Sequence, residues 1–309
     1  MQPCPLCGSS AALPVESVAA DELAGLYRRS LDIEIGHLLP GAFIEYRKCP
    51  ACDLRYFDGA APGDQAFYAA LNRREWYYME EKPEFRFAQS LIGPADGVLE
   101  VGAGAGSFAK LVSPGRYTGL EFSERARRVA REAGVELLDE TVEAHAAANA
   151  GRYDLVCHFQ VLEHVPDPRG FLAACVACLK PEGRLLVAVP AYDSFLRYST
   201  NNLLNLPPHH LTHWSDEALR SVGRLFQLEL VSLTHEPVAS FHRLGYQNAW
   251  FGYALSRLFG RHPKLVDTGW AQRLVSRAAG AAAIRLEPGA PDFLFGRGHT
   301  VSAVFRRAQ

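Results

Sequence analysis

A glycine-rich turn at residues 98–106 constrains this chain more than any other feature. It reads Val98-Leu-Glu-Val-Gly-Ala-Gly-Ala-Gly106, a buried strand that runs into a loop of alternating glycines. A helix is predicted from about Ser107, so unhindered backbone N–H groups surround whatever lies across the strand tips. About twenty residues beyond Glu100, a second strand ends at Glu121, where a carboxylate in a doubly wound α/β fold can accept both hydroxyls of a ribose. The pattern predicts a nucleoside cofactor.

The spacing of this turn argues against a pyrophosphate ligand. A pyrophosphate-binding loop reads G-x-G-x-x-G, whereas here the run is Glu-x-Gly-x-Gly-x-Gly, starting at Glu100. The carboxylate repels phosphate and attracts the ammonium group of an amino acid. S-adenosylmethionine carries such an ammonium group together with a nucleoside.

Together, the motifs of the central region resemble those of the class I S-adenosylmethionine-dependent methyltransferases. The resemblance runs from about Gly97 to Val189 and resumes near the C-terminus. Its motifs are Leu99-Glu-Val-Gly-Ala-Gly-Ala-Gly106, Gly119-Leu-Glu-Phe-Ser123, Tyr153-Asp-Leu-Val-Cys157, Gln160-Val-Leu-Glu-His-Val-Pro-Asp-Pro168 and Leu179-Lys-Pro-Glu-Gly-Arg-Leu-Leu-Val187. The resemblance implies an α/β fold with a Rossmann-like, doubly wound, seven-stranded sheet and methyl transfer from S-adenosylmethionine.

The same resemblance implies roles for individual residues. It assigns the methionine part of the cofactor to Glu100, Gly102, Gly104 and Gly106. It assigns the ribose to Glu121 and one face of the adenine to Phe122, and it places Gln160 and His164 at the floor or flank of the pocket after the fourth strand. The acidic residue that the family commonly has near the adenine amino group has no single counterpart here, and three candidates stay open: Asp139, Glu140 and Glu143.

Composition agrees with a soluble enzyme. The 309 residues are enough for about two domains, and a formal charge of −2, from 32 basic and 34 acidic side chains, offers no electrostatic footprint for duplex nucleic acid. We expect no transmembrane segment and no signal peptide, and therefore a cytoplasmic protein. Seven cysteines in such a chain point to thiolates and metal rather than to disulfides.

Four of the cysteines form two CxxC knuckles, Cys4-Pro-Leu-Cys7 and Cys49-Pro-Ala-Cys52. This arrangement predicts one structural zinc ion, because four thiolates leave zinc no open coordination position for catalysis. We expect a zinc-ribbon-like module over residues 1–58, with a short amphipathic helix of Leu23, Leu26, Tyr27 and Leu31 packed on the knuckles. The remaining cysteines, Cys157, Cys175 and Cys178, are interpreted as core residues.

The methyltransferase domain is expected to occupy residues 59–309. Residues 59–92 form an aromatic helical lead-in, in which related enzymes imply that Tyr77 or Tyr78 covers the cofactor. Residues 237–296 are predicted to form a helical insertion between the last two strands. Packing on the core, a substrate lid, a dimer contact and a membrane-surface helix would all give its apolar stripes, so its role and the oligomeric state stay open.

The segment after the fifth strand carries the candidate catalytic histidines. That strand ends at Val189-Pro190, and the following segment contains Leu206-Pro-Pro-His-His-Leu-Thr-His-Trp214. His209 or His210 is the predicted general base, while His164 is expected mainly to shape the pocket. Metal ligation by His209, His210 and His213 is less favoured because no carboxylate completes the set, and a purely structural role in a proline-rich turn stays open.

These features are compatible with three functions. We predict an S-adenosylmethionine-dependent methyltransferase acting on a small-molecule hydroxyl of a sugar, a glycan precursor or a secondary metabolite. An RNA methyltransferase that grips RNA through the zinc module is the alternative, but the Asn/Asp-Pro-Pro-aromatic motif of base-amino methylation is replaced by Gln160-Val-Leu-Glu. A non-enzymatic cofactor-binding module is disfavoured because the glycines, Glu100 and Glu121 are all present.

Overall fold

A mixed sheet of six strands forms the centre of the computed structural model, which describes residues 2–74, 82–113, 115–286 and 295–307. The strands are β4 (Val98–Val101), β5 (Tyr117–Leu120), β6 (Tyr153–Phe159), β7 (Leu179–Pro190), β9 (Leu228–Pro237) and β10 (Arg297–Arg307). Their spatial order is β5-β4-β6-β7-β10-β9. The first four pair in parallel, and β10 runs antiparallel between β7 and β9. This is the Rossmann-like arrangement that the sequence predicts.

The seventh predicted strand is reduced to a single parallel bridge between Leu120 and Leu138. Two backbone hydrogen bonds form there, from Leu138 N to Gly119 O at 2.9 Å and from Glu121 N to Leu138 O at 3.0 Å. The chain then leaves the sheet, because Thr141 already begins the next helix as its N-cap. Within the described residues the sheet therefore has six strands rather than seven.

A second, antiparallel sheet contains the N-terminal part of the chain. Its strands are β1 (Leu13–Ala19), β2 (Phe43–Lys48), β3 (Arg55–Asp58) and β8 (Thr212–His213), in the order β1-β2-β3-β8. The last strand comes from the segment that follows β7 of the larger sheet. The backbone hydrogen bonds between β3 and β8 thus connect the N-terminal strands to the segment that leaves the main sheet, although these parts of the chain are distant in sequence.

Helices cover the sheets and fill the connections between strands. They are α1 (Ala20–Leu31), α2 (Gln65–Leu71), α3 (Pro83–Ser90), α4 (Glu124–Glu132), α5 (Val142–Asn149), α6 (Pro168–Cys178), α7 (Asp216–Phe226), α8 (Arg243–Leu258) and α9 (Trp270–Leu286). The last two lie between β9 and β10 and pack on each other. Within the described ranges, no helix combines the length and the apolar character needed to cross a membrane.

The helix predicted from Ser107 is only a short 3-10 turn, Phe108–Leu111. The sequence explains the difference, since Pro114 and Gly115 follow closely. A proline disfavours the helical conformation of the residue before it, and the chain must reach β5 by Tyr117. The glycine loop therefore leads into one tight turn rather than a regular helix.

The amphipathic helix predicted near the cysteines is present as α1, but it packs elsewhere. Leu23 and Tyr27 are fully buried in a cluster with Ile44, Phe57 and Leu203 rather than against the cysteines. The cysteines belong to a different cluster, formed with Trp214 and the main sheet. The prediction that this helix covers the knuckles was therefore wrong, because its apolar face packs on the N-terminal sheet, α2 and the rim segment instead.

The segment between β7 and α7, here called the rim segment (residues 191–215), is held from both sides. The Tyr27 hydroxyl donates to the carbonyl oxygens of Leu203 and Leu206, at 2.7 and 3.2 Å. Phe57 N donates to Leu211 O at 3.0 Å, and Leu211 N donates to the carbonyl of Glu163 at 2.8 Å. These bonds place the rim segment between the N-terminal sheet and the turn that follows β6.

Ser215 couples the cysteine region to the main domain, and its removal should cost more than the loss of an ordinary cap. Its hydroxyl accepts from Ala218 N at 3.1 Å, as an N-cap does, and also donates to the carboxylate of Asp53, next to Cys52. We expect Ser215→Ala to lower the free energy of unfolding by about 2–3 kcal/mol in urea titrations.

Ser123→Ala is the matched control, because the Ser123 hydroxyl caps α4 by the same contact to Ala126 N, and the only bond of Ser123 to a carboxylate comes from its backbone N–H, which the substitution keeps. It should cost about 1 kcal/mol. Equal losses in the two variants would show that the Asp53 contact contributes nothing.

Candidate functional site

The glycine loop after β4 has a backbone that only glycine adopts without strain. Gly102, Gly104 and Gly106 have φ angles of +75°, +55° and +74°. A Cβ at Gly102 would lie 2.5 Å from a methyl carbon of Val161, in the turn after β6. The loop is therefore both left-handed and in close contact with the next element of the site.

Glu121 and Phe122 lie next to this loop, at the end of β5. The Glu121 carboxylate accepts from Gly104 N at 2.8 Å and from Ser123 N at 2.7 Å, and burial raises the pKa of this carboxyl. The Phe122 ring is 65% exposed, which is unusual for so large an apolar group. Arg127 fixes the turn by donating to the carbonyl oxygens of Glu121 and Phe122, each at 2.7 Å. A carboxylate and an open aromatic face thus stand side by side.

Glu100 lies within β4 and is only 2% exposed. The Tyr117 hydroxyl donates to its carboxylate. Burial raises the pKa of Glu100 to about 8, and the Tyr117 hydrogen bond opposes part of that shift. The carboxylate predicted to meet the ammonium group is thus buried, and its charge depends on its surroundings.

The three acidic residues that could contact the adenine amino group have different surroundings in the structure. Asp139 pairs with Arg127 at 2.8 Å, and Glu140 pairs with His145 at 2.7 Å. Glu143 is an exposed residue in the first turn of α5. Asp139 is therefore connected through Arg127 to the backbone of Phe122, where the adenine face was predicted.

Gln160 directly follows β6 and has a φ of +57°, an unfavourable conformation for a residue with a side chain. Its amide nitrogen lies 3.4 Å from Glu84 Oε1 and 3.3 Å from Thr300 Oγ1. The strained residue stands at the same sheet edge as the glycine loop. Tyr77 and Tyr78, the residues suggested as a cover for the cofactor, lie outside the described residues.

Three histidines meet beside this turn. The ring centroid of His164 lies 4.6 Å from that of His209 and 4.9 Å from that of His210. The sequence suggested the latter two as a pair on the rim segment, and the fold adds His164 from the turn after β6. One ring nitrogen of each histidine lies within 4.8 Å of the others.

His213 is separate from these three. Its Nδ1 accepts from the Tyr46 hydroxyl at 2.6 Å, and its Nε2 donates to Asn205 O at 2.8 Å. Both ring nitrogens are thus engaged, one by β2 of the N-terminal sheet and the other by the rim segment. The set His209, His210 and His213 considered from the sequence is therefore not one cluster.

Burial keeps the clustered imidazoles neutral. It lowers the pKa of His164 to about 4 and lowers the pKa values of His209 and His210 well below the ordinary value. At neutral pH these rings therefore offer lone pairs rather than positive charge.

Glu163 is the residue that sequence reasoning missed. It is 1% exposed, and its Oε1 lies 3.8 Å from His164 Nε2 and 3.9 Å from His210 Nε2. A buried carboxyl thus lies beside two of the clustered histidines, which the sequence did not indicate. The only signal in the sequence was a charged residue beside His164, flanked by the apolar Leu162 and Val165.

The four N-terminal cysteines have the geometry of a tetrahedral metal site. Their sulfurs lie within 4.8 Å of one another, with Cys4 Sγ 3.6 Å from Cys52 Sγ and Cys7 Sγ 3.5 Å from Cys49 Sγ. An ion bonded at about 2.3 Å to each sulfur requires separations of about 3.8 Å. The Cys52 thiol lowers the pKa of Cys4 to about 5, so a thiolate is available. The residues present thus fit a zinc ion.

A cleft of about 200 Å³ opens between the rim segment and α8. It combines aromatic rings with two guanidinium groups and one carboxylate, and it is lined by Asp193, Ser194, Phe195, Arg197, Tyr198, Tyr246, Trp250 and Arg297. Arg297 begins β10, and the rim segment starts where the parallel strand β7 ends. The cleft therefore opens at the same sheet edge as the glycine loop.

The burial of Glu100 predicts a pH effect on the cofactor-free protein. Above its ordinary pKa of about 4.5 the unfolded chain ionises, while the folded state holds the proton until about pH 8, so stability falls as pH rises through this window. Each pKa unit corresponds to about 1.4 kcal/mol, so we expect a loss of about 3 kcal/mol between pH 5.5 and 8 that is absent from Glu100→Gln. Urea unfolding at both pH values measures it.

Glu163 and Glu236 are also buried carboxyls with raised pKa values, so they contribute to the pH dependence of the wild type as well. Comparing Glu100→Gln with the wild type isolates the contribution of Glu100. Glu132→Gln, on an exposed face of α4, is the control and should keep the wild-type pH dependence. The same pH dependence in Glu100→Gln as in the wild type would contradict the assignment.

Comparisons with known proteins agree with this geometry. A family model described as "Methyltransferase domain" matches residues 71–233. The chain is 32% identical over 169 residues to a ubiquinone biosynthesis O-methyltransferase of Vibrio campbellii, covering 49% of this chain and 72% of the relative. A protein of the same name from Salmonella arizonae is 32% identical over 172 residues, covering 48% and 69%.

The fold itself also has a solved counterpart. A crystal structure of an S-adenosylmethionine-dependent methyltransferase from Archaeoglobus fulgidus superposes with a TM-score of 0.50 at 14% identity, covering 78% of this chain and all of that one. This likeness concerns the fold alone. The family match spans more than half of the chain and includes the glycine loop, Glu121, Gln160 and the clustered histidines. The chain therefore belongs to the methyltransferase-domain family and is an S-adenosylmethionine-dependent methyltransferase.

Proposed function

We propose that the enzyme methylates a hydroxyl group of a small molecule, such as a sugar, a glycan precursor or a secondary metabolite. The observation that carries this proposal is the contact between the glycine loop and the turn after β6. Val161 lies against Gly102, and the 3-10 turn Leu162–His164 follows immediately. The cofactor loop and the neutral imidazoles are therefore neighbours, as a transfer to an O–H group requires.

The similarity to O-methyltransferases supports oxygen as the methylated atom. Both relatives act on oxygen by name, and the part of this chain that matches them is about half of its length. The identity of their substrate is a property of those proteins. For this chain, the aromatic and guanidinium-lined cleft beside α8 supports a small, polar aromatic or acidic acceptor.

The residues of the loop fit the cofactor as the resemblance implies. S-adenosylmethionine supplies an activated methyl group on a sulfonium. Glu121 would accept from the ribose hydroxyls, Phe122 would cover one adenine face, and the backbone N–H groups at Gly102, Gly104 and Gly106 would surround the methionine part. Gln160 would border the pocket, and Glu100 would supply the negative charge beneath it.

The acceptor's proton must leave as the methyl group arrives. A neutral imidazole can take it directly, which is the role predicted for His209 or His210, with His164 shaping the pocket. An imidazole can also hold a cation that makes the hydroxyl more acidic. Glu163 lies beside two of the imidazoles, so it bears on the binding of such a cation.

The cysteine cluster is proposed to hold one structural zinc ion, with residues 1–58 forming the module around it. Cys4, Cys7, Cys49 and Cys52 are the ligands, and four sulfurs leave no position for a substrate. The module's connection to α7 through Asp53 and Ser215 supports a role in holding the rim segment in place.

Cofactor binding and turnover test the proposed function. We expect S-adenosylmethionine to bind in calorimetry and to be consumed with a panel of phenols and sugars. Glu121→Ala should weaken binding by about 10- to 100-fold, because a charge-assisted hydrogen bond contributes about 1.5–3 kcal/mol. Glu124→Ala, in the exposed first turn of α4, should leave the affinity unchanged.

Two results would count against the proposal. Affinity within twofold of the wild type for Glu121→Ala would overturn the ribose assignment. Turnover with amines but with no hydroxyl compound would overturn the choice of oxygen.

The zinc site has its own test. Elemental analysis of protein purified without added metal should find one zinc per chain, and Cys49→Ser should lose it together with much of the folded N-terminal sheet. Cys175→Ser is the matched control, because Cys175 is fully buried in α6 but lies outside the cluster. A Cys49→Ser protein that keeps its zinc and its fold would rule out the proposed ligand set.

A further inference from the structure

We infer that His164, His209, His210 and Glu163 form a second metal site, which holds a divalent transition-metal ion beside the cofactor loop. The ring nitrogens of the three histidines come within 4.8 Å of one another, and Glu163 Oε1 lies 3.8 and 3.9 Å from the Nε2 atoms of His164 and His210. Residues from two segments, 163–164 and 209–210, thus bring three imidazoles together, with the Glu163 carboxyl beside two of them.

The outer nitrogen of each ring supports this assignment. Nδ1 of His164 donates to His209 O at 2.5 Å, and Nδ1 of His209 donates to Leu204 O at 2.9 Å. Nδ1 of His210 donates to Asn205 Oδ1 at 3.2 Å. A proton on Nδ1 leaves the lone pair on Nε2, and such an outer hydrogen bond to a carbonyl is the usual companion of a metal-bound histidine. All three rings are therefore oriented as ligands.

Glu163 supplies an independent observation. Within the part of the chain that the structure describes, neither of its carboxylate oxygens has a hydrogen-bond partner, although both are buried. The separations of 3.8 and 3.9 Å from the histidine nitrogens exceed the reach of a hydrogen bond. A buried carboxylate without a partner costs several kcal/mol, and a bound cation between it and the imidazoles removes that cost.

The donor set selects the class of ion. Three imidazole nitrogens and one carboxylate oxygen suit zinc and its first-row neighbours, whereas magnesium and calcium prefer sites made of oxygen. Bonds of about 2.0–2.1 Å place the donors of a tetrahedral ion about 3.4 Å apart, so the side chains must move closer together around the ion. The His164 side chain is 20% exposed, which gives the ion a route from solvent.

The consequence for the reaction rests on the proposed function. An acceptor hydroxyl bound to this ion becomes more acidic, and its proton can pass to water rather than to a histidine. The three histidines then act as ligands rather than as bases.

Metal titration of the whole chain, with zinc already in the cysteine site, tests the inference without any assay of turnover. Cobalt(II) added to the wild type should give a visible absorption typical of nitrogen and oxygen ligands, and elemental analysis should find a second ion per chain. Glu163→Gln and His210→Ala should each weaken this binding by at least about 10-fold. His213→Asn is the control and should bind as the wild type does, because both ring nitrogens of His213 are already used by Tyr46 and Asn205.

A thermal shift guards against a variant that fails to fold. Without metal, Glu163→Gln should be at least as stable as the wild type, since it removes a buried carboxyl. With cobalt or zinc, only the wild type and His213→Asn should be stabilised. One ion per chain at excess metal, or an unchanged metal-induced shift in Glu163→Gln, would overturn the site. Metal binding with no turnover on hydroxyl compounds would instead count against the proposed function alone.

Discussion

The position of the rim segment is the constraint on which the rest of the site depends. Backbone hydrogen bonds tie it to β3 at Phe57 and to the turn after β6 at Glu163. The Tyr27 hydroxyl of α1 fixes its first half from the other side. Each bond contributes only about 1 kcal/mol, but together they determine which side chains reach the cofactor edge. Without them, residues 209–210 would have no fixed relation to residue 164.

Local sequence was sufficient to place the residues that we propose to bind the cofactor. The glycines, Glu121 and Phe122 lie within about twenty residues of one another, and their positions follow from strand ends and backbone conformation. The length of the helix predicted from Ser107 was wrong, because a nearby proline and glycine limit it to one short turn.

The acceptor half could not be predicted in this way. His164 and His209 are separated by 45 positions, and only the fold shows that their rings meet. The same holds for α1, whose apolar face was apparent from its spacing although its partner surface was not. Glu163 had even less of a signal, because a single acidic residue in a short turn is ordinarily solvated. Burial and the absence of partners are properties of tertiary structure, and they distinguish this carboxylate from the others.

The pairing of β3 with β8 makes the N-terminal sheet part of the reaction centre's framework. Arg55 and Tyr56 pair with His213 and Thr212, so the register of β3 determines where the preceding residues of the rim segment stand. Cys52, three residues before Arg55, ends the knuckle that starts this strand. During evolution, substitutions in the N-terminal sheet and in the rim segment are therefore expected to be coupled. A related N-terminal region grafted onto this enzyme would have to match it residue for residue along β3, since a slip of one position turns every side chain to the opposite face.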